Sequence, residues 1–463
     1  MTSGGRRTFD DKPDRRCYIP PPMVDLRSLA LRILSLSWPV ALARLGIMGM
    51  GVADTIMVGQ FAPDELAHQA LGWAPNGVFL VTGIGLLIGV QVLAARAIGA
   101  GDPAASGAVW RKGLLLALAA GGVAIALVWS AGAHLLTAFG VSAELAEPAM
   151  HVGRILVLSI PLHLVYVACA FYLEALQRPV AGAAFMWAAN IINIGLNWAL
   201  VPSFGAEGSA WATFAARAFL AFGMIAWILS LRDARALGVY GGTRGPATSE
   251  ILGIGAAAAV SQAVEAGAFS GMTIIAGRGG ADDVAAYQIL LNTLATVFMV
   301  ALGISAATAV IVSEAIGARR GAVAAAAAWL GLALNTGAML LAGAAFLLFG
   351  GAIAQAFTSD AALAGLVAAN MTLAALILAP DGGQVVAAAA LRARGDNWVP
   401  TASHVFAYAI VMPPLALVLA EGLGRGVAGL LEAILIASVI SVGVLMARLA
   451  LLTRSRAENP ALL

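Results

Sequence analysis

Three acidic residues, Asp54, Glu265 and Asp381, lie inside long apolar stretches of the sequence. A charged side chain costs roughly 2.5 to 3.5 kcal/mol at the centre of a membrane helix, so such residues tend to mark ion or substrate pathways. A carboxylate that binds a proton or a small cation is neutralised, which changes the cost of burying it. We therefore expect these acids to bind coupling ions or a charged substrate. The alternative is that they are structural acids, paired with hydroxyls or with deep bases that the sequence cannot assign: Arg44, Arg154 and Arg217.

The surroundings of Asp381 indicate a cation site. It follows Pro380 and precedes two glycines, so the helix can bend and the carbonyl of Leu376 loses its backbone donor. A free carbonyl beside a carboxylate suits a small cation, because such ions prefer oxygen ligands. Gln262 and Glu265 are three residues apart and share a helix face, which adds an amide and a second carboxylate. Glu265 and Asp381 are thus the candidate pair for binding a small cation. The alternative for Asp381 is a packing kink with a solvated acid.

A second polar group lies in the first half of the chain. Asn190, Asn193 and Asn197 are spaced by three and four residues, so their amides form one stripe of a helix. Such a stripe seeks either a neighbouring helix or an aqueous cavity, and both interpretations remain open. Thr213, on the next apolar segment, could face the same cavity. His163 is more typical of a core residue than of a ligand, and the sequence has no metalloprotease or phosphate-loop motif that would indicate an enzyme or an ATP-driven pump.

The elements that must position these residues are membrane helices. Hydrophobic residues make up 61% of the chain and charged residues 11%, and the mean hydropathy is +0.92, a balance that excludes an ordinary soluble domain. Long apolar segments recur between short polar breaks, whereas a membrane barrel would show short alternating strands. We predict an all-α integral membrane protein with twelve transmembrane helices, at residues 28–59, 66–98, 106–134, 144–173, 180–201, 207–231, 250–277, 283–317, 321–350, 360–391, 399–420 and 426–453.

The distribution of positive charges predicts the orientation, because lysine and arginine favour the cytoplasmic loops. The breaks after the even-numbered helices hold most of them, at Arg111, Lys112, Arg178, Arg232, Arg235, Arg244, Arg319, Arg320, Arg392 and Arg394. The other breaks hold only Arg278 and Arg425. Both termini are therefore expected in the cytoplasm. The net charge of +2 reflects this topology and does not indicate a nucleic-acid partner.

The two halves of the sequence repeat one plan. Two short motifs of the first half recur about 218 residues later in the second half. These are Thr55-Ile-Met-Val-Gly59, repeated as Thr273-Ile-Ile-Ala-Gly277, and Ala97-Ile-Gly-Ala100, repeated as Ala315-Ile-Gly-Ala318. Six helices per half is an even number, which predicts two six-helix bundles related by a pseudo-two-fold axis along the membrane normal. We divide the chain into a cytoplasmic N-terminal segment (1–27), a first bundle (28–231), a cytoplasmic linker (232–249), a second bundle (250–453) and a cytoplasmic tail (454–463).

Taken in order, the motifs resemble those of the multidrug and toxic compound extrusion (MATE) family, and most closely its NorM-like bacterial branch. The resemblance covers nearly the whole chain. It is carried by Val52-Ala-Asp54-Thr-Ile-Met-Val-Gly59, Ala97-Ile-Gly-Ala-Gly-Asp102, Asn193-Ile-Gly-Leu-Asn197, Trp211-Ala-Thr213, Pro380-Asp-Gly-Gly-Gln384 and Leu391-Arg-Ala-Arg-Gly-Asp396.

The resemblance implies a secondary antiporter in the inner membrane of a bacterium, which exports small organic, often cationic, compounds in exchange for Na⁺ or H⁺. It implies no cofactor and no enzymatic activity, and the sequence does not indicate an oligomeric state. By position, Glu265 and Asp381 match the family's cation-binding acids. The polar cluster of the family's first half is matched by Asp54, Asn193, Asn197 and Thr213. A tyrosine that some relatives place one turn before the second acid is Ile377 here.

Three rival interpretations remain. A major facilitator would show an Asp-Arg-x-Gly-Arg-like signature between the second and third helices, and residues 99–112 lack it. A lipid or lipid-linked sugar flippase of similar design would have a strongly cationic central cavity, which the three deep arginines keep open. An intramembrane enzyme would need a nucleophile, a metal or paired acids at catalytic spacing, and no such constellation is readable.

Overall fold

A computed structural model describes residues 25–138, 141–242 and 244–458 of the chain, with side chains up to residue 454. The predicted N-terminal segment up to residue 24 and the tail from residue 459 lie outside the described residues. The described part is helical throughout. Its α-helices are α1 (Leu26–Phe61), α2 (Leu66–Gly99), α3 (Pro103–Ala138), α4 (Ala143–Leu158), α5 (Ile160–Ala175), α6 (Val180–Leu229), α7 (Thr248–Gly279), α8 (Ala281–Gly317), α9 (Gly321–Phe357), α10 (Ala361–Ala393), α11 (Trp398–His404), α12 (Met412–Ala416) and α13 (Gly426–Glu458).

Eleven stretches of the described residues are long and apolar enough to cross a membrane. One of them, α6, is 50 residues long and contains Gly205 at φ 55° and ψ −137°. Glycine tolerates this conformation because it has no Cβ, and the side chain of Glu65 accepts a hydrogen bond from the next backbone N–H at 2.7 Å. Gly205 therefore separates two spanning segments, which gives the expected twelve. The predicted break over residues 202–206 was too long, since only Gly205 leaves helical geometry.

The backbone confirms the internal repeat. Helix-ending residues with positive φ fall at equivalent positions of the two halves: Gly101 and Arg319, Gln177 and Gly395, Gly205 and Gly424. The turns also share their hydrogen bonds, since the amide of Asp102 donates to the carbonyl of Ala97 as that of Arg320 does to Ala315. The same turn geometry in both halves means that one six-helix plan is used twice, as the pseudo-two-fold arrangement requires.

The halves meet along α1, α2, α7 and α8, and glycines permit the close approach. A Cβ added to Gly85 would overlap the backbone of Ala259, and one added to the equivalent Gly303 would overlap that of Ser37. These contacts occupy the end of the molecule at which α1 and α7 begin and α2 and α8 finish. Ile33 of α1 also belongs to a core cluster built mainly from the second half. The two bundles are thus joined at one end of the molecule.

The connection between the halves packs against the same end. Asp233 accepts two hydrogen bonds from Arg178, at 2.9 and 2.7 Å, and these bonds hold the pKa of Asp233 below its ordinary value. Lys112, near the start of α3, donates to the carbonyl of Pro246 at 2.5 Å, and Arg111 donates to that of Gly238. Basic residues that the sequence assigns to cytoplasmic loops therefore also attach the linker to the first bundle.

Candidate functional site

A cavity of about 450 Å³ lies between the two halves. Most of its lining is apolar and comes from α1, α2, α7, α8 and α10. Four ionisable side chains interrupt this lining: Arg44, Glu265, Asp381 and Arg392. A concave apolar site with a few convergent polar groups is the usual form of a small-molecule site. The volume falls within the range of roughly 300 to 1,000 Å³ that drug-sized ligands occupy.

Asp381 projects from α10 toward two hydroxyl groups. Tyr408 and Ser438 each donate a hydrogen bond to its Oδ1 at 3.2 Å, and their own oxygens are 3.1 Å apart. Tyr408 lies in a π-helical stretch, Val405–Val411, between α11 and α12; such wide turns frequently occur at functional sites. Tyr408 thus brings a phenolic hydroxyl to Asp381, although position 377 of this chain is an isoleucine. Two hydroxyl oxygens and one carboxylate oxygen thus lie close together, which is suitable chemistry for a small cation.

Glu265 lies near the middle of α7 and faces the same cavity. Its Oε1 accepts a hydrogen bond from Gln384 at 3.4 Å, and its Oε2 is 4.0 Å from Nδ1 of the buried His404. Gln262, one turn earlier, also lines the cavity. The structure therefore brings together three residues singled out in the sequence, Gln262, Glu265 and Asp381, and adds Gln384 and His404.

The polar residues of the first half form a separate buried cluster. Asn193 and Asn197 donate to Oδ1 of Asp54 at 2.9 and 2.8 Å, and Thr213 donates to Oδ2 at 2.6 Å. Asp54 is only 2% exposed. None of these four residues lines the cavity between the halves. The charge of Arg217 acts on the cluster from nearby, while its guanidinium donates to Ser159 at 2.8 Å.

Asn190 does not join this cluster. Its amide donates to the carbonyls of Gly46 and Met186, at 3.0 and 2.9 Å. The helical spacing correctly places Asn190 on the stripe with Asn193 and Asn197. Along α1, however, Gly46 lies two turns before Asp54, so Asn190 meets backbone rather than carboxylate. Its geometry supports the packing interpretation of the stripe at this position.

Of the three deep arginines, one lies close to an acidic residue and another stacks on an aromatic ring. Arg44 lies 3.7 Å from Glu174, which also accepts a hydrogen bond from Gln91 at 2.5 Å. Arg217 stacks over the ring of Trp73 at 5.2 Å. Among the described residues, no ion pair within 4.0 Å involves Arg154. His163 is buried beside Tyr166, in a core environment.

Two buried charged residues were not predicted as site residues, for the same reason. Glu174 and Arg392 each lie one residue beyond a predicted span, 144–173 and 360–391. The helices continue further, and both side chains are buried at 6% exposure. Arg392 is therefore a lining residue of the cavity, and its assignment to a cytoplasmic loop was wrong. A comparison of the repeats would have found both, since they occupy equivalent positions.

Comparisons with known proteins agree with this architecture. The family model MatE matches residues 39–199 and again 257–418, once in each half. A probable multidrug resistance protein NorM of Caulobacter vibrioides is 43% identical over 440 residues, covering 93% of each chain. The multidrug resistance protein PmpM of Pseudomonas aeruginosa is 29% identical over 395 residues, 83% of this chain and 82% of the relative.

Solved structures show the same fold. A multidrug resistance MATE family transporter in an outward-facing conformation superposes with a TM-score of 0.85 at 20% sequence identity, covering 93% of this chain and 97% of that one. The eukaryotic MATE transporter AtDTX14 superposes with a TM-score of 0.83 at 17% identity, covering 93% and 99%. The prediction of two helical bundles is thereby confirmed.

Proposed function

The chain belongs to the MATE family of multidrug and toxic compound extrusion transporters, and from this membership we propose that it exports organic, often cationic, compounds in exchange for Na⁺ or H⁺ by alternating access. The family consists of transporters rather than enzymes, in agreement with the sequence analysis. The names of its relatives support multidrug export as the purpose. Small organic substrates and the lipid bilayer are its proposed partners.

One observation carries this proposal: Glu265 and Asp381 line the cavity between the two halves. A coupling ion can drive transport only if it binds the two states of the carrier with different affinity. Neutralisation of a carboxylate changes the cost of enclosing it, which supplies that difference. Binding of Na⁺ or H⁺ at these acids also removes the negative charge that holds a cationic substrate, so ion binding favours substrate release. The buried Asp54 cluster is a second, separate proton or substrate site in this scheme.

The arrangement of the halves suggests the direction of access. We place both termini in the cytoplasm and the protein in the bacterial inner membrane, with the halves divided at the linker 232–249. The end at which the bundles meet is then cytoplasmic, and the cavity opens toward the outside. This is the state in which an external cation reaches Glu265 and Asp381.

The flippase alternative predicts a strongly cationic cavity. Two arginines line the cavity, but two acids accompany them, and Arg44 is close to a third acid, Glu174. This balance favours small organic compounds over a polyanionic lipid headgroup.

Transport into proteoliposomes tests the proposal. Wild-type protein should accumulate a cationic dye when an opposing Na⁺ or H⁺ gradient is imposed, each gradient being applied alone to identify the coupling ion. Glu265→Gln and Asp381→Asn should reduce gradient-driven uptake at least tenfold. Glu421→Gln is the matched control, because Glu421 pairs with Arg278 away from the cavity. Wild-type rates in both variants under both gradients would show that these acids do not couple ion flow to export.

A further inference from the structure

We propose that Arg392 forms an anion-binding subsite in the cavity between the halves, which takes the carboxylate of a substrate whose cationic group lies toward Glu265 and Asp381. The substrate class is therefore a zwitterionic organic molecule. This inference rests on the proposed function, which supplies the cavity with a small organic occupant.

The first argument is the bonding of Arg392. Arg392 lines the cavity, and the residue is 6% exposed. Nη2 donates to Ser261 at 2.8 Å, while Nε is buried without a hydrogen-bond partner. No carboxylate of the described residues lies within 4.0 Å of it. A guanidinium carries five N–H donors, and a buried cation without a paired anion is costly. An anionic ligand in the cavity would supply the missing charge partner.

The neighbouring groups are arranged as supports for Arg392 and not as counter-ions. Ser261 directs its own hydroxyl proton toward Thr401 at 3.4 Å, and Thr401 donates to the carbonyl of Ala257 at 2.7 Å. The Ser261 oxygen is thereby oriented to accept from Arg392. Glu265, one turn along α7, acts on Arg392 through its charge, but the hydrogen bond that it accepts comes from Gln384 and its ion-pair contact is with His404.

The internal repeat supplies an independent argument. The residue equivalent to Arg392 in the first half is Glu174, which lies 3.7 Å from Arg44. The residue equivalent to Arg44 in the second half is Gln262, a neutral amide that lines the cavity. The first half thus closes an ion pair within itself. The second half has, at the same positions, a cation and a neutral amide, so the equivalent ion pair is absent there.

The cavity therefore carries both signs of charge. Glu265 and Asp381 offer carboxylates to a cationic group, and Arg392 offers N–H donors to an anionic one. Arginine binds carboxylates in a bidentate geometry, which adds orientation to affinity. A substrate with both groups would contact the second half at two points, whereas a simple cation would use only the acids.

Two related dyes test the subsite. Rhodamine 123 is the methyl ester of rhodamine 110, so the two differ in a free carboxylate while sharing the cationic ring system. Fluorescence anisotropy with purified protein gives the Kd of each dye. We expect Arg392→Gln to raise the Kd of rhodamine 110 by about tenfold, the scale of one charged hydrogen bond. The Kd of rhodamine 123 should stay unchanged or fall. Arg392→Lys should retain part of the preference for rhodamine 110 over rhodamine 123, because it keeps the positive charge.

The controls separate this proposal from a structural role and from the proposed function. Ser261→Ala removes the hydrogen bond that orients Arg392 but keeps its charge, so it should reduce the preference for rhodamine 110 less than Arg392→Gln does. Arg278→Gln removes an exposed arginine outside the cavity and should change neither Kd. A fall in affinity for both dyes to the same extent, or for neither, overturns the subsite. Failure of the wild-type protein to transport either dye under an ion gradient would contradict the proposed function instead.

Discussion

Arg96 of α2 and Glu314 of α8 occupy equivalent positions in the two halves, and each bonds to the opposite half. Arg96 donates to the carbonyl of Ala393 at 2.8 Å. Glu314 accepts from Arg32 at 2.5 Å and also from Gln177. Both sets of bonds lie at the end where the bundles meet. In the alternating-access scheme proposed above, these bonds must break for this end to open, so they would stabilise the state with the cavity open at the other end.

Removal of the carboxylate of Glu314 should therefore favour opening. Glu314→Gln eliminates the ion pair with Arg32, whose side chain is 39% exposed, so solvent screening limits the effect to about 1 kcal/mol or a several-fold change in population. Spin labels at Ala100→Cys and Arg320→Cys report the separation of the two halves at this end. The fraction of longer electron–electron distances should be higher in Glu314→Gln than in the wild type. Glu432→Gln is the control, because Glu432 pairs with Arg425 inside the second half. An unchanged distance distribution in Glu314→Gln would exclude a role for this ion pair in closure.

The crossing of α2 and α8 depends on two equivalent glycines. A Cβ on Gly99 would overlap the carbonyl oxygen of Glu314, and one on Gly317 would overlap that of Arg96. The obstacle is backbone in both cases, so Gly99→Ala and Gly317→Ala should each separate the helices and cost about 1 to 3 kcal/mol. We expect slower gradient-driven transport, because the state closed at this end becomes less populated. Gly253→Ala, where a Cβ meets nothing within 4 Å, should transport at the wild-type rate, and equal rates in all three variants would contradict the explanation.

The twelve spans and the duplication could be predicted because both depend on regular patterns. Hydrophobic length identifies a membrane helix whatever its neighbours are. The acids Asp54, Glu265 and Asp381 could be singled out because a charge in an apolar segment is costly anywhere. Their partners could not be predicted. Hydroxyls such as those of Tyr408 and Ser438 are common in membrane helices, and only the packing of α10 against α13 and the π-helical stretch brings them to Asp381.

The separation of the polar residues into two sites also required the structure. The spacing correctly predicts that the three asparagines share one face of α6. The position of each asparagine along α1, however, decides which amide reaches Asp54. Likewise, a one-residue error in the end of a span moved Arg392 from the cavity to a loop. Helix boundaries are the least reliable part of a prediction from sequence, and here they decided whether a charge was treated as a site residue.

Tyr408→Phe should weaken the binding of Na⁺ at Asp381 without disturbing the fold. The substitution removes the hydroxyl group that contacts Asp381 and keeps the aromatic ring, whose centre lies 6.1 Å from that of the Phe269 ring. Where the coupling ion is Na⁺, loss of the phenolic oxygen as a ligand should raise the Na⁺ concentration for half-maximal transport by about tenfold. Tyr287→Phe is a matched control, because the hydroxyl of Tyr287 is buried without a partner. If Tyr408→Phe has the same ion dependence as Tyr287→Phe, the phenol does not contribute to the ion site.

Thr213 provides the sharpest test of the buried Asp54 cluster. Its hydroxyl is the only side-chain donor to Oδ2 of Asp54 among the described residues, whereas Oδ1 has two asparagine donors. Thr213→Val keeps the shape and removes the donor, which leaves a buried carboxylate oxygen unpaired and should cost about 1 to 3 kcal/mol. Thr213→Ser loses only a methyl group and retains the donor. The apparent melting temperature of purified protein should therefore fall clearly in Thr213→Val and little in Thr213→Ser. If the two variants melt together, the threonine contributes through packing and the hydrogen bond to Asp54 adds nothing to stability.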